Sequence, residues 1–315
     1  RSKALKEAGE FSKNSDLYCS LEPCSHHGKT PPCVDEIIKN KISRVIIPFL
    51  DPNPLVKGNG IKVLKEAGIK VVILKELEQK AYELIKGFNY FIQKKRPFIT
   101  LKIATSLDGM ISTKQGTSKW ISNSFSRERV QYLRYINDAI LVGTNTAKKD
   151  KPSLKIRNGL KIYKQPKRCF IDTKLSLEPK DLNSSPDYIF YSSKLSPQKK
   201  LKWDDYKTTL IQIKNKNDHL DVVDIVKKFY ELKFHYVLIE GGGLLASSFL
   251  KENLIDQLIH YGTGLIIGSN GTPCISEILK NIKNINDFPR LKLKSVRNIK
   301  GDIETIWENI SKNTS

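Results

Sequence analysis

Between residues 97 and 157, apolar runs alternate with loops that carry most of the polar groups a small-molecule site needs. That alternation restricts the chain to repeated units of strand, loop and helix. The β-branched run 98–104 ends in Ser106-Leu107-Asp108-Gly109, where Asp and Gly favour turn dihedrals and stop a strand. A loop at a strand end is a natural place for a binding site. Further on, Ser122 and Asn123 are capping residue types, and the spacing of Phe125, Val130, Leu133 and Ile136 predicts a helix with these residues on one face and Arg134 beside it. The run 139–142 predicts the next strand, which leads into Gly143-Thr144-Asn145-Thr146 and then Asp150, Leu154 and Arg157.

The same order extends in both directions. Upstream, strands are expected near 17–21, 44–50 and 70–74, with helices at 4–10, 34–40 and 61–67, the last closed by Gly68. A longer amphipathic helix over 77–93 ends in Lys94-Lys95-Arg96-Pro97, which marks a domain junction and divides the chain into domains 1–94 and 97–315. Downstream, strands are expected near 168–172, 188–191, 208–213, 236–239, 257–267, 291–296 and 302–307, with helices at 221–232 and 244–251. A length of 315 residues suits two domains.

Composition narrows the function classes. No run reaches the roughly 20 apolar residues that a membrane span requires, and the first residues carry no signal-peptide pattern, so a cytoplasmic location is expected. The net charge of +21 would suit a polyanion, but the lysines are spread along the whole chain without aromatic interleaving. They read as solvated surface, with no nucleic-acid or membrane partner expected. Five cysteines, at 19, 24, 33, 169 and 274, are an odd, uneven set rather than a secreted disulfide framework. Cys19, Cys169 and Cys274 lie in or beside apolar runs, where an inert thiol is expected.

Cys24 and Cys33 stand apart. Pro23-Cys24 at the start of a helix would place a sulfur where the positive helix end and a metal stabilise thiolate, and Cys33 returns after eight intervening residues. In the second half, Glu240-Gly241-Gly242-Gly243 follows a predicted strand and opens a helix. Such a turn exposes backbone N–H groups at a positive helix end and suits a phosphate or pyrophosphate, although three glycines alone also serve as a simple turn.

Taken together, Leu21–Cys33 (LEPCSHHGKTPPC) and the 97–157 block resemble the two halves of the bifunctional riboflavin-biosynthesis deaminase/reductase family. The resemblance implies an α/β chain. A cytidine-deaminase-like three-layer domain, truncated at its N-terminus, would be followed by a dihydrofolate-reductase-like α/β domain. It implies NADPH as cofactor, zinc in the deaminase half, phosphorylated pyrimidine substrates and a homo-oligomer. By resemblance, Ser118, Arg134, Leu154, Arg157 and Glu240 would meet the substrate, with Lys102 a weaker candidate. Ala104, Trp120, Thr146, Asp150, Thr173, Gly242, Gly243, Leu244, Leu245, Ala246, Ser247 and Ser248 would meet the cofactor. Physically, Arg134 and Arg157 can fork onto a phosphate, Glu240 can accept hydrogen bonds from the pyrimidine or sugar, and Trp120 offers a flat apolar wall.

Family zinc deaminases bind the metal with two cysteines and a His from an upstream His-x-Glu, whose Glu moves the protons. Cys24 and Cys33 would be the cysteines, and His26 or His27 lies in the loop that helps form the substrate pocket. Ala4-Leu5 and Ala8-Gly9-Glu10 align so that Arg1 falls where the catalytic Glu belongs and the His falls before it. No catalytic residue for deamination is therefore visible, and the chain as it stands is expected not to deaminate; a longer parent is the competing explanation. Two alternatives from other classes are a nucleic-acid-editing zinc deaminase and a non-catalytic scaffold. Saturable NADPH binding separates the reductase from both.

Overall fold

The computed structural model describes residues 2–27, 31–54, 56–117, 121–157, 164–192, 198–216, 219–275 and 283–309. The chain divides into two compact units, Arg1–Lys95 and Arg96–Ser315.

The first unit contains α1 (Ser2–Ala8), β1 (Asp16–Tyr18), α2 (Cys33–Lys39), β2 (Arg44–Ile47), α3 (Asn59–Glu66), β3 (Lys70–Ile73), α4 (Glu78–Leu84) and α5 (Lys86–Gln93). Its strands form a parallel sheet in the order β1-β2-β3. Val45 and Ile47 of β2, the central strand, are fully buried together with Ile37 of α2 and Leu64 of α3. Strands with both faces covered read as unbroken apolar runs, as β2 does. The single helix expected over 77–93 is two helices instead. Ile85, at φ −119° and ψ 18°, leaves helical dihedrals. The break lets each segment set its own buried side, Ala81 in α4 and Gly87, Asn89 and Tyr90 in α5.

The second unit opens with β4 (Phe98–Thr105), β5 (Met110–Thr113), α6 (Ser124–Ile136), β6 (Ala139–Gly143), α7 (Thr144–Asp150) and β7 (Lys167–Ile171). It continues with β8 (Tyr188–Ser192), α8 (Gln198–Leu201), β9 (Thr209–Ile213), β10 (Asn215–Lys216), β11 (His219–Leu220), α9 (Val222–Glu231) and β12 (Tyr236–Ile239). The last elements are α10 (Gly243–Lys251), β13 (Gln257–Gly262), β14 (Gly271–Pro273), β15 (Leu291–Ile299) and β16 (Asp302–Asn309). A nine-stranded sheet runs β15-β16-β13-β4-β12-β6-β7-β8-β9. The seven strands from β13 to β9 are parallel, and β16 and β15 are added antiparallel.

Strand alternation sends successive residues to opposite faces and builds two cores. Ile99, Leu101 and Ile103 of β4 join α9 and α10 through Ile225, Phe229 and Phe249. Leu238, Ile259 and Tyr261 belong to the other core, with Val130 and Leu133 of α6.

Several expectations need correction. The expected strand 257–267 ends at Gly262, while β5, β14 and the helix α7 were not anticipated. Short pieces carry too little periodicity to register, and the Thr-Asn-Thr start of α7 resembles a loop. Asn123 caps α6 as expected, its side chain accepting the Ser126 N–H. The buried face of α6 holds Val130 and Leu133 but not Phe125 or Ile136, which are exposed. Polar bonds outrank apolar spacing here, because Asp302 accepts from the Asn123 N–H at 2.8 Å and the Ser126 hydroxyl at 2.6 Å and turns that side of the helix towards β16.

Candidate active site

Parallel strands deliver all their carboxyl ends to one edge of a sheet, and ligands of open α/β sheets bind outside that edge. Here the edge gathers residues far apart in sequence. Ala104 lies near the end of β4 and Glu240 follows β12. Thr146 and Asp150 lie on the helix after β6, and Thr173 follows β7.

At its centre is a buried cluster of charge. The Arg134 guanidinium donates from Nε to Glu240 Oε1 at 2.7 Å and from Nη2 to Oε2 at 2.9 Å, with both side chains about seven-eighths covered. Ile239 pairs with Leu101, so Glu240 comes next to Lys102. Burial alone would raise the Glu240 carboxyl, but the charge and hydrogen bonds of Arg134, with the charge of Lys102, outweigh it and hold the group below its ordinary range. Burial draws the Lys102 ammonium below its ordinary range; Glu240 opposes that and Arg134 adds to it. A lysine with a lowered pKa beside a held carboxylate gives up its proton more readily than a free lysine, which suits proton transfer.

The glycine turn lies beside this cluster. Gly242 is the N-cap of α10, and a Cβ on it would meet nothing within 4 Å, so the approach to that helix end is open. Gly243 has a different reason to be glycine: a Cβ there would lie 2.9 Å from the Pro273 carbonyl oxygen and 3.0 Å from that of Cys274. The hydroxyls of Ser247 and Ser248 donate back to the carbonyls of Gly243 and Leu244 at 2.6 and 2.9 Å. Ala246 and Ser247 are buried, while Gly242, Gly243, Leu245 and Ser248 are half-buried and Leu244 is exposed. This open, uncapped helix end fits a diphosphate.

Other expected residues fall differently. Leu154 is 1% exposed in the core below α6, with φ +52°, so its backbone and not its side chain can face a ligand. Arg157 is exposed and donates to the Ser153 hydroxyl at 2.5 Å, so its remaining donors can take a phosphate. The fork of Arg134, expected on a phosphate, is instead spent on Glu240. Ser118 and Trp120 lie outside the described residues.

In the first unit, Cys33 opens α2 and its N–H donates to the Cys24 sulfur at 3.4 Å. Cys24 itself lies outside any helix, contrary to expectation. Pro32, not Pro23, starts the helix, and Cys24 reaches that helix end from a neighbouring loop. Sequence reasoning missed Glu22 as an anchor of this region. It is fully buried and accepts the N–H groups of Asp51 at 3.0 Å, Gly58 at 3.0 Å and Ile61 at 3.2 Å. Next to it, a Cβ on Gly60 would lie 1.9 Å from the Pro23 carbonyl oxygen, so only glycine fits. His26 and His27 are exposed. Among the described residues no group of three or more His, Cys, Asp or Glu side chains is placed to hold a metal.

Residues 97–305 match the RibD C-terminal domain. The riboflavin biosynthesis protein RibD of Buchnera aphidicola is 36% identical over 316 residues, covering 96% of this chain and 84% of that protein. The chain belongs to the RibD family. It is a riboflavin-biosynthesis enzyme whose second unit is the family's reductase domain, which implies NADPH use. The structure of Acinetobacter baumannii RibD is similar with a TM-score of 0.84 at 30% identity, covering 97% of this chain and 84% of that one. A Thermotoga maritima structure, titled a diaminohydroxyphosphoribosylaminopyrimidine deaminase/5-amino-6-(5-phosphoribosylamino)uracil reductase, has a TM-score of 0.78 at 30% identity, covering 98% of this chain and 82% of that one. Among the described residues no helix is long and apolar enough to cross a membrane.

Proposed function

We propose that the second unit reduces the ribosyl group of 5-amino-6-(5-phosphoribosylamino)uracil to the ribityl form. The observation that carries this reading is the Lys102, Glu240 and Arg134 cluster beside the open end of α10. NADPH, when bound, supplies the hydride to the sugar carbon that carries the amine. The N–H groups at Gly242 and Gly243 would hold its diphosphate, with Ala104, Thr146, Asp150 and Thr173 along the same edge. Lys102 gives a proton to the sugar ring oxygen as the ring opens, and the burial that lowers its pKa makes it a stronger acid than a free lysine. Glu240 holds sugar or pyrimidine donors while Arg134 keeps it ionised. Arg157 takes the 5′-phosphate at the rim, where it stands exposed. Ser118 and Trp120 keep their proposed substrate and cofactor roles. Copies of the chain assemble through this unit.

We further propose that residues 1–94, which fall within the first unit, are the family's deaminase-like domain, with Cys24 and Cys33 as two zinc ligands. A catalytic zinc site uses about three protein ligands. The described residues bring the Cys24 sulfur to the Cys33 N–H and supply no group of three metal-binding side chains, so no deamination step is assigned to them.

The reductase reading is tested by mixing the chain with NADPH and the phosphoribosylaminouracil and following the nicotinamide absorbance band. Substrate-dependent oxidation is expected. Folded protein that binds NADPH but shows no substrate-dependent signal loss would refute it.

A further inference from the structure

One face of the large sheet carries a line of side chains that runs outward from Lys102. Lys102 pairs in register with Ile259, and two residues further on Ala104 pairs with Tyr261. Tyr261 in turn lies opposite Glu304, and Glu304 opposite Arg297. The Tyr261 hydroxyl donates to Glu304 Oε2 at 2.8 Å, and Arg129 of α6 forks onto the same carboxylate with two bonds of 3.1 Å. Arg297 approaches it to 4.0 Å. Tyr261 is fully buried and Glu304 is 1% exposed. At the other end of the line, the Lys102 ammonium stands 5.8 Å from the centre of the Tyr261 ring.

A buried carboxylate with its arginine is a poor way to stabilise a core, since apolar residues of the same volume generally serve as well or better. The neighbours on this face, Ile140, Val142, Leu238 and Ile259, show that apolar filling suits the layer. The network therefore has another use. It fixes a ring whose quadrupole attracts a cation, and the cation beside it is Lys102.

We propose that Tyr261 is a positioning residue of the reductase site. Its ring, anchored by Glu304 and Arg129, holds the Lys102 ammonium beside Glu240. This rests on the reading that Lys102 acts on the sugar. The groups around that ammonium are Glu240 after β12, Arg134 on α6 and Tyr261 on β13. Burial first, then the bond to Glu304, pushes the Tyr261 phenol far above its ordinary range, so it remains a neutral ring and a donor at working pH.

The test is competitive acetylation of the full chain with acetic anhydride across pH. Peptide mass spectrometry then gives the titration midpoint of Lys102 independently of turnover. Removing the ring in Tyr261→Leu removes an attraction for the charged form, so the Lys102 midpoint should fall by about 0.5–1 pH unit. In the same variant kcat should drop roughly 10- to 100-fold, with KM for NADPH unchanged. Tyr261→Phe keeps the ring but loses its bond to Glu304, and should give a midpoint and kcat between those of the parent and of Tyr261→Leu. Tyr261→Met replaces the Leu variant if circular dichroism shows that the latter is unfolded. A Lys102 midpoint that is the same with and without the ring overturns the proposal whatever turnover does. Full turnover in Lys102→Met would instead overturn the underlying assignment of Lys102 to the reaction.

Discussion

The two faces of the nine-stranded sheet are made from alternate residues of the same strands, yet they differ in kind. The face beneath α9 and α10 is mainly apolar, with Phe229 set edge-on to Phe190 at 5.4 Å and 88° and a neutral Thr105–His260 hydrogen bond of 2.8 Å at the end of β4. The face beneath α6 has a comparable apolar floor crossed by ionic groups, from Arg134 and Glu240 through Lys102 and Tyr261 to Glu304 and Arg129. Apolar burial is non-directional and stabilises whatever encloses it. Buried charge is costly unless each group is paired, so it persists where positions must be fixed. One face therefore serves stability and the other geometry.

The largest expected effect tests that division on the apolar side. Phe229→Ala removes a fully buried ring and should cost about 3–5 kcal/mol in urea unfolding, while turnover per folded molecule stays near the parent value. A fall in turnover of the folded fraction as large as the fall in stability would erase the distinction between the faces.

On the charged side, Glu240→Gln keeps the volume and removes the charge that pairs with Arg134 and supports the ionised form of Lys102. Turnover should fall by roughly 100-fold or more, as for lost acid-base and electrostatic groups elsewhere. Steady-state kinetics at saturating NADPH measures it. Parent-like kcat would assign the pair to structure alone.

Arg157 sharpens the same contrast at the rim, where an exposed group adds binding and no core. Loss of one charged hydrogen bond costs about 1.5–3 kcal/mol, so Arg157→Ala should weaken substrate affinity about 10- to 150-fold. Cofactor affinity should barely move, and equal substrate affinity would return Arg157 to the ordinary surface.

The smallest effect belongs to Asp108, which accepts from the Ser106 hydroxyl and the N–H groups of Gly268 and Ile267. These bonds, that of Ser106 first, hold its carboxyl at about 2, below its ordinary 3.8. A depressed acid contributes its stability above the unfolded value and loses it as pH falls through the folded one. Asp108→Asn should lower Tm slightly at neutral pH, and the gap should close as pH falls from near 4 towards 2. A gap that is constant with pH would show that the carboxylate charge is not what ties the turn to the 267–268 loop.

Much of the site was legible in the sequence because its signals are local. Asp108-Gly109 ends a strand region, Asn123 caps α6, and the glycines after Ile239 open α10, each by the dihedral and hydrogen-bond preferences of a few adjacent residues. The Cys24 and Cys33 spacing was equally visible. Which proline began the helix was not, because the Cys24 sulfur meets the Cys33 N–H across a loop. Leu154 shows the same limit, since its chemical type says nothing of a left-handed backbone with the side chain turned inward.

By itself, the sequence determined the longer elements, the two-part organisation and the residues available for chemistry, because strand and helix periods and turn preferences act within a few residues. Only the tertiary structure decided which charges meet. Tyr261 and Glu304 are 43 positions apart and meet through strand register, while Arg134 and Glu240 are 106 apart and meet because α6 packs over β12. Register is fixed by the packing of both faces at once, and no local stretch of chain contains that information.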